Sequence, residues 1–125
     1  MSDSNFNLEE NLRRVLRSFR TGTAASPFLN LKLTESDAYA IQYKLVESLK
    51  ESGEIVRGHK VALTTKAARE HLGVAEPCFG HILDTRVYAN GSVVPLTELA
   101  DPHCEAEIAF ILKDDIRGPG VTPVQ

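Results

Sequence analysis

Two glutamates, Glu105 and Glu107, stand at i and i+2 in the run Cys104-Glu105-Ala106-Glu107-Ile108-Ala109-Phe110-Ile111-Leu112. Read as a strand, this run alternates faces with period two, so both carboxylates point the same way. At a rise of ~3.3 Å per residue they lie about 6–7 Å apart along the strand. Oxygens so placed can converge on one hard divalent cation, whereas bare carboxylates repel one another. Oxygen-only ligands suit Mg²⁺ or Mn²⁺. An amphipathic strand with a wet acidic face explains the same pattern without any ligand. Lys60 is the second unusual residue, placed mid-strand in Gly58-His59-Lys60-Val61-Ala62-Leu63-Thr64. An ammonium among apolar neighbours is costly unless it meets an anion. It reads as a cation facing an anionic substrate, as a proton carrier with a lowered pKa, or as an edge-strand lysine that discourages aggregation.

Cysteine and histidine offer weaker constellations. Cys78-x-x-His81 with His103-Cys104 contains zinc-ligand types, but neighbours on a strand point to opposite faces and the spacing is irregular. Cys78 lacks the surroundings of a Cys/His nucleophile, and Cys104 reads as a small core residue. Arg13, Arg14, Arg17 and Arg20 offer either a phosphate-binding patch or a solvated helix face, and the overall acidity favours the solvated face.

These residues need elements to hold them. The chain has 125 residues, a mass of 13.7 kDa and a formal charge of 14 − 17 = −3. That balance argues against an electrostatic grip on nucleic acid or anionic lipid. No run approaches the ~20 apolar residues of a membrane span, and the N-terminus MSDSNFNLEEN does not read as a secretory signal. Two cysteines without such a signal fit a reducing cytoplasm. The expectation is a soluble cytoplasmic domain. Apolar residues at Leu8, Leu12, Val15, Leu16 and Phe19 predict a helix over 8–20, capped by Asn7 and stopped by Gly22. Thr34 and Asp37 open a second helix over 35–52, with Ala38, Ile41, Leu45, Val46 and Leu49 as its buried stripe. Ser26-Pro27 marks a turn between them.

After Gly53 the sequence turns β-rich. Residues 54–64 predict a long strand kinked at Gly58 or a strand pair, 65–72 a short helix closed by Gly73, and Pro77-Cys78-Phe79-Gly80 a turn. Short strands follow at 81–83 and 86–89, with Asn90-Gly91 predicting a type I′ hairpin to 92–96. The run 104–112 is the best strand of all. The division is thus a helical region over 1–53 and the first part of a β-rich domain over 54–125. Val121-Thr122-Pro123 reads as a helix start with nothing after it, which suggests a truncated chain.

Several motifs resemble one family in order: Asp37-Ala38-Tyr39-Ala40-Ile41-Gln42, Gly58-His59-Lys60-Val61-Ala62-Leu63-Thr64-Thr65-Lys66-Ala67, Leu72-Gly73-Val74 with Glu76-Pro77-Cys78-Phe79-Gly80, Glu105-Ala106-Glu107-Ile108-Ala109-Phe110, and Arg117-Gly118-Pro119-Gly120-Val121-Thr122. They resemble the N-terminal half of the 2-keto-4-pentenoate hydratase / 4-oxalocrotonate decarboxylase family, within the fumarylacetoacetate hydrolase superfamily. The resemblance implies an α+β fold in which an N-terminal helical region precedes a mixed β-sheet roll, incomplete here. It implies Mg²⁺ or Mn²⁺ held by Glu105 and Glu107, with a third acidic ligand beyond Gln125. It places Lys60 and Leu63 at the substrate and Lys60 among the catalytic residues. Cys78 stands where the hydratases usually carry an acid, which keeps decarboxylation of 4-oxalocrotonate (2-oxohex-3-enedioate) open. Ala62 stands where glycine is common. The implied reaction is hydration of 2-hydroxypenta-2,4-dienoate (2-oxopent-4-enoate) to 4-hydroxy-2-oxopentanoate, in meta-cleavage degradation of aromatic compounds. The implied partner is that small 2-oxo or 2-hydroxy dienoate acid, and the complete enzyme is expected to be a homo-oligomer. A non-catalytic truncated product or interaction module is the reading outside enzymology.

Overall fold

The computed structural model describes residues 6–26, 28 and 31–122. Pro27 of the expected 26–27 turn, Pro123 and the two residues after it, and the first five residues of the N-terminal reading lie outside that set.

Helix α1 spans Leu8–Thr21, where the Asn7 side chain accepts from the Glu10 amide and Gly22 turns left-handed at φ 63°. Helix α2 spans Glu35–Glu51 behind a complete capping box: Thr34 accepts from the Asp37 amide, and Asp37 accepts from the Thr34 amide. Those bonds satisfy backbone donors that a helix start leaves open. The two helices pack through a shallow core. Leu12 of α1, Ile41 and Leu49 of α2, and Leu83 further along are the buried apolar side chains, and none of the described side chains is fully enclosed. Ala38, expected in the buried stripe, is exposed, while Leu45 and Val46 are half-buried. The burial of α2 is carried further along the helix, by Ile41 and Leu49. Asn11 is buried beside Leu12 and takes a hydrogen bond from Arg14. Arg14 also stacks over Phe28 at 4.3 Å and donates to the Ser26 carbonyl, whereas Arg13, Arg17 and Arg20 are exposed.

Strand β1 (Val56–Ala62) pairs antiparallel with β2 (Cys78–Leu83), and helix α3 (Lys66–Leu72) fills the connection. The kink expected at Gly58 is a register shift between Val56 and Gly58. Cys78 opens a strand, opposite Ala62, and is not in a turn. Thr65 caps α3, and Gly73 ends it at φ 69°. After β2 come two 3₁₀ turns, Asp84–Arg86 and Leu96–Glu98.

Two expected strand sets are not formed among the described residues. The Ala89 carbonyl accepts from Ser92 across Asn90-Gly91, and of these two only Gly91 has positive φ. That is the type II pattern, which splays the flanking chains, whereas a type I′ turn holds them together. Residues 104–112 carry no ladder either, and Ile108, Phe110, Ile111 and Leu112 are exposed. The described sheet has two strands, and a strand without a neighbour has no bonds to define it. Cys104, expected in the core, is exposed with a free thiol. No described helix is long and apolar enough to cross a membrane.

Candidate functional site

The register of the β1–β2 ribbon decides which residues share a face. Directly opposed residues point the same way. Lys60 lies opposite Gly80 and Ala62 opposite Cys78, so Lys60 and Cys78 share one face. His59, His81, Val61 and Phe79 form the other, which packs against α2. There Phe79 stacks on Tyr39 with centroids 5.1 Å apart, the Phe79 amide donates to Tyr39 Oη, and Gln42 Nε2 donates to the Phe79 carbonyl. This anchoring holds the ribbon with Lys60 turned away from the helices.

On the Lys60 face the two glutamates arrive. Lys60 Nζ lies 2.9 Å from Glu105 Oε2 and 2.6 Å from Glu107 Oε1. The i, i+2 spacing puts both carboxylates on one side even though their segment has no ladder. The cluster is open to solvent, with side-chain exposures of 44% for Lys60, 63% for Glu105 and 59% for Glu107. The hydrogen bonds that Lys60 donates to Glu107 and Glu105 raise its pKa. With no ion between them, both carboxylates favour its charged form. The Lys60 bond lowers the Glu105 pKa.

Leu63 follows β1 with φ 58°, a left-handed conformation that a bulky side chain rarely adopts. Arg69 of α3 donates to the carbonyls of both Leu63 and Thr64, at 2.9 and 2.8 Å. Those bonds oppose the strain at the end of β1. Arg69 and Gln42 were not singled out as site residues from sequence. Arg69 acts on backbone oxygens, which no side-chain pattern advertises, and Gln42 reaches residues 37 and 39 positions away. Cys78 is exposed, and no structural contact assigns it a chemical role. Among the described residues no group of three or more His, Cys, Asp or Glu is poised to hold a metal. That covers the irregular Cys78, His81, His103 and Cys104 set.

No family model matches the chain. Individual relatives do. A 2-hydroxypent-2,4-dienoate hydratase of Pseudomonas putida is 45% identical over 91 residues, 72% of this chain and 41% of the relative. A 2-hydroxyhexa-2,4-dienoate hydratase of Comamonas testosteroni is 36% identical over 126 aligned positions, 98% of this chain and 47% of the relative. A 4-oxalocrotonate decarboxylase of Pseudomonas putida is 36% identical over 89 residues, 71% of this chain and 34% of the relative. The chain thus spans less than half the length of each of these proteins. The resemblance carried by the motifs around Lys60, Cys78 and Glu105 is a relationship over most of the chain, and by sequence this protein is a relative of the 2-keto-4-pentenoate hydratases and 4-oxalocrotonate decarboxylases.

Proposed function

We propose that the chain forms part of a divalent-metal-dependent hydratase that converts 2-hydroxypenta-2,4-dienoate to 4-hydroxy-2-oxopentanoate in the meta-cleavage breakdown of aromatic compounds. The observation that carries this reading is the convergence of Glu105 and Glu107 on one positive charge, supplied by a lysine 47 residues from Glu107. Carboxylates are the oxygen donors that Mg²⁺ and Mn²⁺ take, and this pair already gathers around a cation, Lys60 Nζ. The donor set therefore fits such an ion, with Glu105 and Glu107 as two of its ligands. When bound, the ion supplies Lewis-acid polarisation of a chelating 2-oxo acid. Lys60 offers N–H donors and positive charge to the substrate's carboxylate or to its developing enolate oxygen. Leu63 offers an apolar wall beside the hydrocarbon part of the substrate. In the complete protein, β1, β2 and residues 104–112 belong to the mixed sheet roll of a cytoplasmic homo-oligomer.

Decarboxylation of 4-oxalocrotonate is the second reading, favoured by Cys78 and by the decarboxylase relatives. The same stabilisation of enolate charge serves loss of CO₂. The test uses the complete protein with Mg²⁺, following loss of dienoate absorbance and release of CO₂ from 2-oxohex-3-enedioate. Glu105→Gln and Glu107→Gln are each expected to lower turnover about 100-fold, the scale for disturbing a metal site. Full turnover by both variants, or undiminished turnover in excess chelator, refutes the metal assignment. CO₂ release without hydration product selects the decarboxylase.

A further inference from the structure

On the opposite face of the ribbon, His59 and His81 are directly cross-strand partners, and their ring centroids lie 4.9 Å apart. We infer that His59 and His81 form a second metal site, for a borderline transition-metal ion such as Zn²⁺, separate from the carboxylate cluster. Three observations carry it.

The first is distance. With Zn–N bonds of about 2.0–2.1 Å and each ring centre roughly 1 Å further out, two imidazoles sharing a tetrahedral ion have centres roughly 5 Å apart. The observed centroid separation of 4.9 Å matches that spacing.

The second is the proton on His81. Gln42 Nε2 donates to the Phe79 carbonyl at 3.0 Å, which turns its amide oxygen toward His81 Nδ1, also at 3.0 Å. An amide oxygen only accepts, so Nδ1 must carry the proton and Nε2 of the neutral ring keeps its lone pair. This is the arrangement by which a second residue orients a metal-ligating histidine. Burial, and then the neighbouring His59, lower the His81 pKa and favour the neutral ligating form.

The third is access. Tyr43 and Phe79 flank His81, which is half-buried, while His59 is exposed. An ion therefore enters from the His59 side, and water completes its coordination. Imidazole suits Zn²⁺, whereas carboxylates suit the harder ion proposed at Glu105 and Glu107, so the two faces differ in the metal they select.

The test is calorimetric titration of the 125-residue chain with ZnCl₂, with histidine ring resonances followed by NMR. One Zn²⁺ per chain is expected, shifting His59 and His81 and leaving His71 and His103 in place. His59→Ala changes an exposed side chain and spares the Gln42 contact; it is expected to weaken binding at least tenfold with an unchanged circular dichroism spectrum. Binding should survive in Cys78→Ser/Cys104→Ser and in Glu105→Gln/Glu107→Gln. Equal affinity in His59→Ala, loss of binding in the serine variant, shifts confined to His71 or His103, or no binding at all would each overturn the assignment. MgCl₂ in the same cell should leave the His59 and His81 resonances unmoved, so failure here is independent of the hydratase reading.

Discussion

Gly22 is where the end of α1 meets the segment leading to the acidic pair. A Cβ built on it lies 2.7 Å from the Glu98 carbonyl carbon and 3.0 Å from the carbonyl oxygens of Glu98 and Thr97, at φ +63°. Gly22→Ala therefore meets two penalties. Left-handed backbone costs an L-residue roughly 1–2 kcal/mol. The contact adds a similar amount, about 1–2 kcal/mol, because the obstacle is backbone and no rotamer change relieves it. Lower unfolded-state entropy returns roughly 0.4–1 kcal/mol. The net loss is about 2 kcal/mol, which lowers Tm by roughly 6–10 °C in a chain of this size. Gly73→Ala is the internal control: it shares the left-handed φ, +69°, but nothing lies within 4 Å of its Cβ. Strain alone predicts a fall of roughly 2–5 °C there. Differential scanning calorimetry of the two variants separates the effects. Equal shifts would show that residues 97–98 do not rest against the end of α1, and the placement of the following segment would lose its support.

Three further outcomes follow from other contacts. Thr34→Ala removes both the acceptor for the Asp37 amide and a partner of the Asp37 carboxylate, and should lower stability by about 1 kcal/mol in denaturant melts; an unchanged midpoint contradicts the capping box. The Ile55 amide bond lowers the Asp84 pKa, and the Thr34 side-chain and backbone bonds lower that of Asp37. A folded pKa below the unfolded value means the stabilisation is present above the unfolded pKa and is lost as pH falls through the folded one. Thermal melts from pH 6 to 2 should therefore fall below about pH 4, with a shallower fall in Asp84→Asn; an identical acid slope rejects the Asp84 contribution. Phe110 and Ile111 are 81% and 101% exposed, so the chain should self-associate with rising concentration. Phe110→Lys/Ile111→Lys should shift sedimentation toward monomer, and no shift locates the association elsewhere.

The helices were legible because their signals are local. Asn7, Thr34 and Thr65 cap, while Gly22 and Gly73 stop in left-handed turns, and each acts within a few residues of its own element. The β1–β2 ribbon was half legible: composition marked the strand around Lys60, but its pairing made a strand of Cys78, which sequence placed in a turn. Residues 104–112 have strand alternation and no described partner, which a local pattern cannot reveal. The acidic pair was visible because period two acts within one segment, whereas the meeting of His59 with His81 depends on a register that only pairing defines.

Glu105 and Glu107 reach Lys60 from a stretch with no ladder, so charge and not backbone hydrogen bonding ties them to the ribbon. Such a tether responds to ionic strength. At about 1 M salt, attraction between open charges is screened within roughly 3 Å, comparable to these separations. Adding salt should thus unmoor the acidic arm while the β1–β2 pairing endures. A divalent ion taking the same two carboxylates, as proposed above, would displace the lysine, so its entry and the release of the ammonium would be one exchange.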